Sequence, residues 1–299
     1  MHNSKNTHRL FTKPTEIAWI VSLQNQTAGE WLEVCPKTSY HTLTNEEFEI
    51  ALTLRLLLPQ KLVVPNTRCT CSTPDSEVQI DVTGIHLCTG CNHDGARNDT
   101  HSNVRDQLIK GLNYLGVRTI KEQTNVFRTV DPDNGNRPDI TTAINLPGTD
   151  RSHLLDVTIT SPIPACNPQS LTMAEAIKPL RAAKIAKTRK NNKYLAAAHA
   201  CNLEFPPIVF EITGRMHDDT EDLLRKAITN FAKSKNAPFQ AVWKFWISSI
   251  IITLLKSLAH GIIKRTRNLN GFSECSTHET TDDTVNEIAM VHHGFTLPS

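Results

Sequence analysis

The sequence predicts an α/β fold, a sandwich in which helices flank a mixed central sheet. Two observations indicate this class. Between residues 102 and 233, apolar residues first repeat every three or four positions, then alternate in short runs, and then return to helical spacing. The length of 299 residues allows one main core of about 100 to 200 residues, so the flanking segments are expected to be smaller appendages.

The segment ahead of the predicted core contains one clear helix signal. Thr44 is followed three residues later by Glu47, which is a capping box, and apolar residues then continue at helical spacing as far as Leu58. We therefore expect a helical N-terminal segment over residues 1–62. Residues 63–101 are rich in Cys, His, Thr, Asp, Gly and Asn and have too few apolar side chains for a core of their own, so they are expected to form a separate Cys/His module.

The predicted core domain covers residues 102–235 and follows the order helix, strands, helix, strand, helix. The tetrapeptide 147–150, Pro-Gly-Thr-Asp, is typical of a turn and predicts that the strands on either side of it form a hairpin. The predicted helices are 102–115, 171–200 and 220–233, and the predicted strands are 117–122, 125–130, 139–146, 153–160 and 207–213.

The C-terminal region is predicted to be an amphipathic helix over 236–267 and a disordered polar tail over 268–299. The apolar stretch 243–263 is interrupted by Lys244, Lys256 and His260, which leaves about half of the roughly 20 residues that a bilayer requires. We expect no membrane span. The polar N-terminus lacks a secretory signal pattern, and the clustered cysteines do not suggest a disulfide framework, so an intracellular protein is expected.

Two carboxylates are placed for metal chemistry by the predicted hairpin. Asp139 and Asp156 lie at similar distances from the turn, and cross-strand neighbours are about 5 Å apart at Cβ. Without a cation they would repel each other, and hard oxygen ligands favour Mg²⁺ or Mn²⁺. In the alternative interpretation, Asp139 caps a turn after Pro138 and Asp156 pairs with an arginine.

A basic stretch follows the hairpin. It contains seven cations and no acid, and like charges at helical spacing are tolerated more easily when an anion such as a nucleic-acid backbone covers them. A solvated basic face is the alternative. The seven residues are Lys178, Arg181, Lys184, Lys187, Arg189, Lys190 and Lys193.

Half of the eight cysteines lie between residues 69 and 91. Thiolate and imidazole ligands in a segment without a core favour a structural Zn²⁺, although free thiols are the alternative. We expect Cys69, Cys71, His101 and at least one of Cys88 and Cys91 to converge. His86 and His93 are alternative ligands.

Several motifs occur in an order that resembles the C-terminal part of non-LTR retrotransposon proteins and related stand-alone reading frames. The resemblance covers about residues 30 to 265. The matching positions are Glu47-Phe48 with Ala51-Leu52, Cys69 and Cys71, Gly84 and His86 with Cys88 or Cys91, His101, Arg137-Pro138-Asp139, Asp156-Val157-Thr158, Lys190 with Lys193-Tyr194, and Glu211 with Gly214.

This resemblance implies a zinc knuckle followed by a restriction-endonuclease-like domain of the PD-(D/E)XK type, in which Asp139 and Asp156 are metal ligands. The simplest form of the motif has lysine where this chain has Thr158, and related families place the lysine on the next helix, at Lys190 or Lys193. Glu122 and Glu211 are possible supporting acids, ranked below the aspartates.

The expected function is therefore that of a divalent-metal-dependent DNA endonuclease of retroelement origin, acting in the nucleus. Arg137, Lys184, Lys187 and Arg189 are expected to contact nucleic acid, and RNA of a retroelement particle remains an alternative partner. Two other functions stay open: a nucleic-acid-binding protein with a degenerate nuclease centre, for which Thr158 is the sign, and a zinc-stabilised interaction module that does not cleave.

Overall fold

The computed structural model describes residues 12–73, 76–91, 95–128, 130, 136–143, 150–165 and 167–269, which form a mixed α/β fold. The helices in these ranges are α1 Pro14–Leu23, α2 Asn45–Arg55, α3 Ala96–Tyr114, α4 Met173–Ala176, α5 Arg181–Ala200, α6 Asp218–Lys235 and α7 Phe239–Leu269. The strands are β1 Arg68–Thr73, β2 Ser76–Gln79, β3 Thr119–Lys121, β4 Ile140–Thr142, β5 Leu154–Leu155, β6 Val157–Thr160 and β7 Ile208–Glu211.

Helix α7 forms the centre of the hydrophobic core, against α2, α3 and α6. The helix predicted over 236–267 is present, but most of its residues are buried in the core, whereas an amphipathic helix would bury one face only. Two of its polar side chains pair with acids of the N-terminal segment, Lys244 with Glu33 and His260 with Glu47. Other polar side chains of the helix, among them Ser249 and Arg265, are buried. The helix is long and apolar enough to cross a membrane, but 83% of its most apolar window is buried, as in a core helix.

The capping box predicted at Thr44 is confirmed. Its hydroxyl accepts a hydrogen bond from Glu47 N at 3.2 Å, and the Glu47 carboxylate accepts one from Thr44 N at 2.7 Å. Two N–H groups that the first turn of α2 would otherwise leave unbonded are thereby satisfied. On the far side of α2, Trp19 Nε1 donates to Arg55 O at 2.9 Å and ties α1 to the end of this helix.

The predicted hairpin pairing is confirmed for its described residues. Strands β4 and β5 are antiparallel, with Ile140 opposite Leu155 and Thr141 opposite Leu154, while the predicted turn at 147–149 lies outside the described residues. The single strand predicted over 153–160 is two strands, because the chain leaves β4 at Asp156 and then pairs in parallel with β7. The described residues of the strand predicted over 125–130 form turns instead.

The helix predicted over 171–200 is also divided. Its first part, α4, ends at Ala176, and α5 begins at Arg181 after Pro179 and Leu180, which has a φ of 58°. Proline disfavours helical conformation in the residue before it, here Lys178, which explains the break. Within the described residues, the strands pair as β1-β2, β3-β4-β5 and β6-β7, which gives three small sheets in place of one continuous central sheet. The α/β class is therefore confirmed only in its coarse form.

Candidate functional site

Three acids lie in one row at the end of the β3-β4-β5 sheet. Lys121 pairs with Ile140, and Ile140 pairs with Leu155, so the next position on each strand is Glu122, Asp139 and Asp156. A hydrogen bond of 2.9 Å from Glu122 N to Asp139 O continues the ladder into this row. Neighbours in such a row have Cβ atoms about 5 Å apart, so the sheet concentrates negative charge at this edge.

Asp139 is held in place by two N–H groups. Its Oδ2 accepts hydrogen bonds from Val157 N at 2.6 Å and from His101 Nε2 at 3.0 Å, and His101 Nε2 also lies 3.1 Å from Val157 O. Val157 begins β6, which pairs with β7 and not with β4. The side chains of Asp139 and His101 therefore bond the N–H and C=O groups of Val157 in place of a neighbouring strand. His101, which we expected near zinc, therefore belongs to the acidic row.

Asp156 is 3% exposed and pairs with a lysine from α5. Lys190 Nζ lies 2.5 Å from Asp156 Oδ2. Burial raises the pKa of Asp156, and the charge of Asp139 raises it further, against the lowering effects of Lys190 and His101. Of the two candidate lysines, Lys190 reaches the row, whereas Lys193 Nζ lies 4.6 Å from the centre of the Tyr194 ring.

Glu122 is paired with two arginines. Arg105 donates to its Oε1, and Arg137 lies 3.4 Å from its Oε2. Arg105 is 4% exposed and its pKa is raised by hydrogen bonding and charge interactions with Asp106, Glu122 and Asp139, although burial opposes the rise. Every acid of the row thus has a cationic or imidazole partner from the protein itself, and Arg137 already has a carboxylate partner before any nucleic acid approaches.

Glu211 does not join the row. It lies opposite Thr160, whereas Asp156 precedes the β6-β7 pairing at the other end, about 13 Å away at 3.3 Å per residue. The Glu211 carboxylate accepts a hydrogen bond from Ser22 Oγ, and burial raises its pKa. The suggestion that Glu211 supports catalysis is therefore not borne out by its position, which is in the packing between α1 and β7.

Thr158 stands where the simplest form of the motif has lysine. It lies on β6, where it pairs with Val209, two residues after Asp156. Its hydroxyl is buried and makes no hydrogen bond within the part of the chain that the structure describes. A lysine side chain at position 158 would be buried in this packing. Lys190 on α5 instead brings an ammonium group to Asp156.

A second constellation is formed by three thiols and one imidazole. The ligand atoms of Cys69, Cys71, His86 and Cys91 all lie within 4.8 Å of one another. The Sγ atoms of Cys69 and Cys91 are 3.6 Å apart, and Cys71 Sγ lies 3.4 Å from His86 Nε2. Tetrahedral zinc with bonds of about 2.3 Å separates its sulfur ligands by about 3.8 Å, so this donor set fits Zn²⁺.

The backbone explains which donors converge. Residues 86–90 form a short π-helical turn in which Cys91 N donates to His86 O at 2.9 Å, so these two residues lie on one side of it. Cys88 points away into the apolar core, where burial raises its pKa to about 12. The structure therefore selects His86 and Cys91, and it places His101 and Cys88 outside the cluster. His93 lies outside the described residues.

Asp81 fixes the turn that carries His86. Its two carboxylate oxygens accept hydrogen bonds from Ile85 N at 3.0 Å and His86 N at 2.7 Å. Burial lowers the pKa of His86, which favours the neutral imidazole that a metal requires. Burial also raises the pKa of Cys69 to about 12, with hydrogen bonds from the neighbouring thiols as smaller causes, so its thiolate needs a metal's charge.

Of the seven basic residues of the stretch 178–193, three pair with acids and four are exposed, one of which, Lys178, precedes α5. Arg181 pairs with Glu175 at 3.0 Å, Lys187 with Asp219, and Lys190 with Asp156. These pairs neutralise part of the predicted stripe with acids from other elements. The exposed cations of α5 are Lys184, Arg189 and Lys193.

Comparison with models of known protein families gives no match, and comparison with curated proteins gives none either.

Proposed function

We propose that this protein is a divalent-metal-dependent DNA endonuclease of the restriction-endonuclease-like type and of retrotransposon origin. The observation that supports this most is the row in which Asp139 and Asp156 are neighbours and Lys190 reaches Asp156 from the next helix. The resemblance in sequence predicts the same three roles. A buried carboxylate beside a second carboxylate is costly for folding, which favours a functional reason for the pair.

The donor set of the row fits a hard cation. Asp139 and Asp156 supply carboxylate oxygens, which Mg²⁺ and Mn²⁺ prefer. When bound, such an ion activates water and stabilises the negative charge that develops on a phosphodiester. The protein groups have separate tasks: Val157 N and His101 hold Asp139 in position, while Lys190 is placed to contact the scissile phosphate or to orient the attacking water.

The exposed cations of α5 are the proposed contact for the DNA backbone. Each neutralised phosphate steepens the dependence of affinity on salt by about one unit of log–log slope. Replacing Lys184, Arg189 and Lys193 together with alanine should therefore flatten this slope. The matched control replaces Lys233 and Lys235 at the far end of α6. Equal slopes for both variants would place the DNA elsewhere.

A plasmid-nicking assay with Mg²⁺ or Mn²⁺ tests the proposal. The wild-type protein should nick, and Asp139→Asn and Asp156→Asn, purified in parallel, should lose activity while still binding DNA. Asp150→Asn, an exposed acid beside the same hairpin, is the matched control and should remain active. Equal nicking by wild type and both row variants would show that the active site is elsewhere.

A nucleic-acid-binding protein without cleavage is the second candidate. It is favoured by Thr158 at the motif position and by the protein partners already present at each acid of the row. Binding without nicking under either metal would select this function. A zinc-stabilised interaction module is the third candidate, and the Cys69, Cys71, His86 and Cys91 cluster is the observation in its favour.

A further inference from the structure

A cavity of about 400 Å³ opens beside the acidic row, between α5, α6 and the segment that precedes β7. Its volume lies within the range of about 300 to 1,000 Å³ that is typical of small-molecule sites. Ile208 N donates to Asp156 O at 3.0 Å, which places Pro207, a wall of the cavity, directly beside the row. On α5, Lys187 and Asn191 line the cavity on either side of Lys190 along the chain.

The walls of the cavity are apolar and partly flat. Leu195 contributes from α5, Leu223 from α6, and Phe205, Pro206 and Pro207 from the segment before β7. A planar ring can bury its faces against such walls. The cavity is separate from the acidic row, because neither Asp139 nor Asp156 lines it.

The polar lining of the cavity includes three carboxylates, those of Glu204, Asp219 and Asp222, and two ammonium groups, those of Lys187 and Lys226. Glu204 pairs with Arg151 and Asp219 with Lys187. Two buried atoms of the lining, the side-chain oxygen of Asn191 and Nδ1 of His153, have no hydrogen-bond partner in the described part of the chain, and the Asn191 oxygen is an acceptor. A ligand that fits these walls and acceptors is planar and presents N–H groups.

We propose that this cavity binds the base of an unpaired nucleotide, and that it prefers a base with an exocyclic amino group. This inference rests on the proposed nuclease function. In that function Lys190 contacts a phosphate, and the cavity would receive the base of the same strand beside it. The phosphates stay outside, near the exposed cations of α5, while the acceptors inside receive the amino group. A base can enter only after it leaves its stack, so the preferred substrate is single-stranded or locally unpaired.

Fluorescence anisotropy with labelled 15-nucleotide strands tests the base preference without cleavage. Oligo-dC and oligo-dU are compared, because cytosine carries an amino group where uracil carries a carbonyl oxygen. Measurements use the zinc-loaded full chain without added Mg²⁺ or Mn²⁺. One additional hydrogen bond corresponds to about a twofold to tenfold difference, so dC should bind more tightly by this factor. Equal affinity for the two strands would overturn the proposal.

Two pairs of variants link the preference to the cavity. Leu195→Trp fills the cavity and should abolish the difference between dC and dU, whereas Ile185→Trp, on the exposed face of the same helix, should retain it. Asp222→Ala removes an exposed acceptor at the cavity and should reduce the difference, whereas Asp218→Ala, on the same helix but outside the cavity, should not. A difference that survives both cavity variants would overturn the assignment.

The same measurements separate this inference from the proposed function. If the protein never nicks DNA but shows a dC preference that depends on the cavity, the proposed nuclease function is wrong and the base-binding site is supported. If the protein nicks DNA in a metal-dependent way but binds dC and dU equally, the base-binding site is wrong and the nuclease function is supported.

Discussion

The Cys/His cluster and the acidic row are both candidate metal sites, but their donor atoms are satisfied in different ways. In the cluster, the donors of Cys69, Cys71, His86 and Cys91 face one another. In the row, each acid is bonded to a group from another element, as in the pairs of Asp156 with Lys190 and of Asp139 with His101. Because protein groups already offset the charge of the row, it can keep its shape without an ion. The donors of the cluster have one another as hydrogen-bond partners, so thiolates there depend on a metal ion for charge compensation.

Under the proposed function, an ion in the cluster would stabilise the fold, whereas an ion at the row would take part in the reaction. The cluster belongs to the main core, since Cys69, Leu87 and Cys91 pack with residues of α3 and α7. The row lies at a sheet edge beside the basic helix α5 and the cavity. Removal of metal should therefore have opposite consequences in the two regions: a loss of structure in the first and a loss of chemistry alone in the second.

The largest effect is expected from Cys91→Ser, which removes one of the four donors of the cluster. Zinc binding contributes on the order of 10 kcal/mol to the folding of small zinc-dependent modules, so this variant should lose its cooperative thermal transition. Elemental analysis and thermal melts provide the measurements. Cys35→Ser, at an exposed thiol, should bind one zinc ion and melt like the wild type. Purified wild-type protein without zinc would contradict the assignment of the cluster.

Next in size is the effect of Lys190→Ala on nicking. Loss of a single preorganised donor to a developing charge typically lowers kcat by about 10² to 10³, and we expect a loss in this range. Lys193→Ala, one turn further along α5, removes only a proposed backbone contact, because its ammonium group lies over Tyr194, and it should lower nicking by no more than a few-fold. If Lys193→Ala were the more damaging variant, the distinction between the two lysines would be wrong.

A smaller effect on nicking is expected from His101→Ala. This variant tests whether His101 belongs to the acidic row or to the Cys/His cluster. Loss of a group that holds a metal ligand typically lowers metal affinity or activity by about 10- to 100-fold, so nicking should decrease in this range. The zinc content should not change, whereas His86→Ala should lower it. Loss of zinc from His101→Ala would restore the ligand set that the sequence first favoured.

The smallest effect concerns Glu211 and the dependence of stability on pH. Burial raises the pKa of its carboxyl above the ordinary value of 4.5. The folded state therefore binds this proton more tightly than the unfolded state, and stability falls as the pH rises from about 4.5 through the folded-state pKa. Glu211→Gln removes that titration. The Tm of the variant relative to wild type should increase over this interval; a constant difference would show that Glu211 titrates normally.

The parts of the site that follow short-range rules could be predicted from the sequence. The capping box at Thr44 and the cross-strand relation of Asp139 and Asp156 depend only on nearby residues, and both agree with the structure. The prediction that the two aspartates repel each other without a cation was incomplete, because it did not include Lys190 and His101. These two residues lie on helices whose positions depend on tertiary packing.

The choice of zinc ligands shows a second limit of prediction from the sequence. The sequence left the choice between Cys88 and Cys91 open and ranked His86 below His101, but a π-helical turn brings His86 and Cys91 to the same side and turns Cys88 inward. The spacing of five residues between His86 and Cys91 was visible in the sequence and would have identified the pair. The break between α4 and α5 was likewise visible in Pro179, whereas the burial of α7 depends on all the elements that surround it.

The central position of α7 has a consequence for the biosynthesis of this protein. The helices that pack against it, α2 and α3, are synthesised long before residues 239–269 leave the ribosome. Until then their apolar faces lack the partner that covers them, and α7 itself emerges as an apolar segment with the hydropathy of a membrane helix. Nascent chains of this protein should therefore depend on chaperones that shield apolar surface until synthesis has passed the last turn of α7.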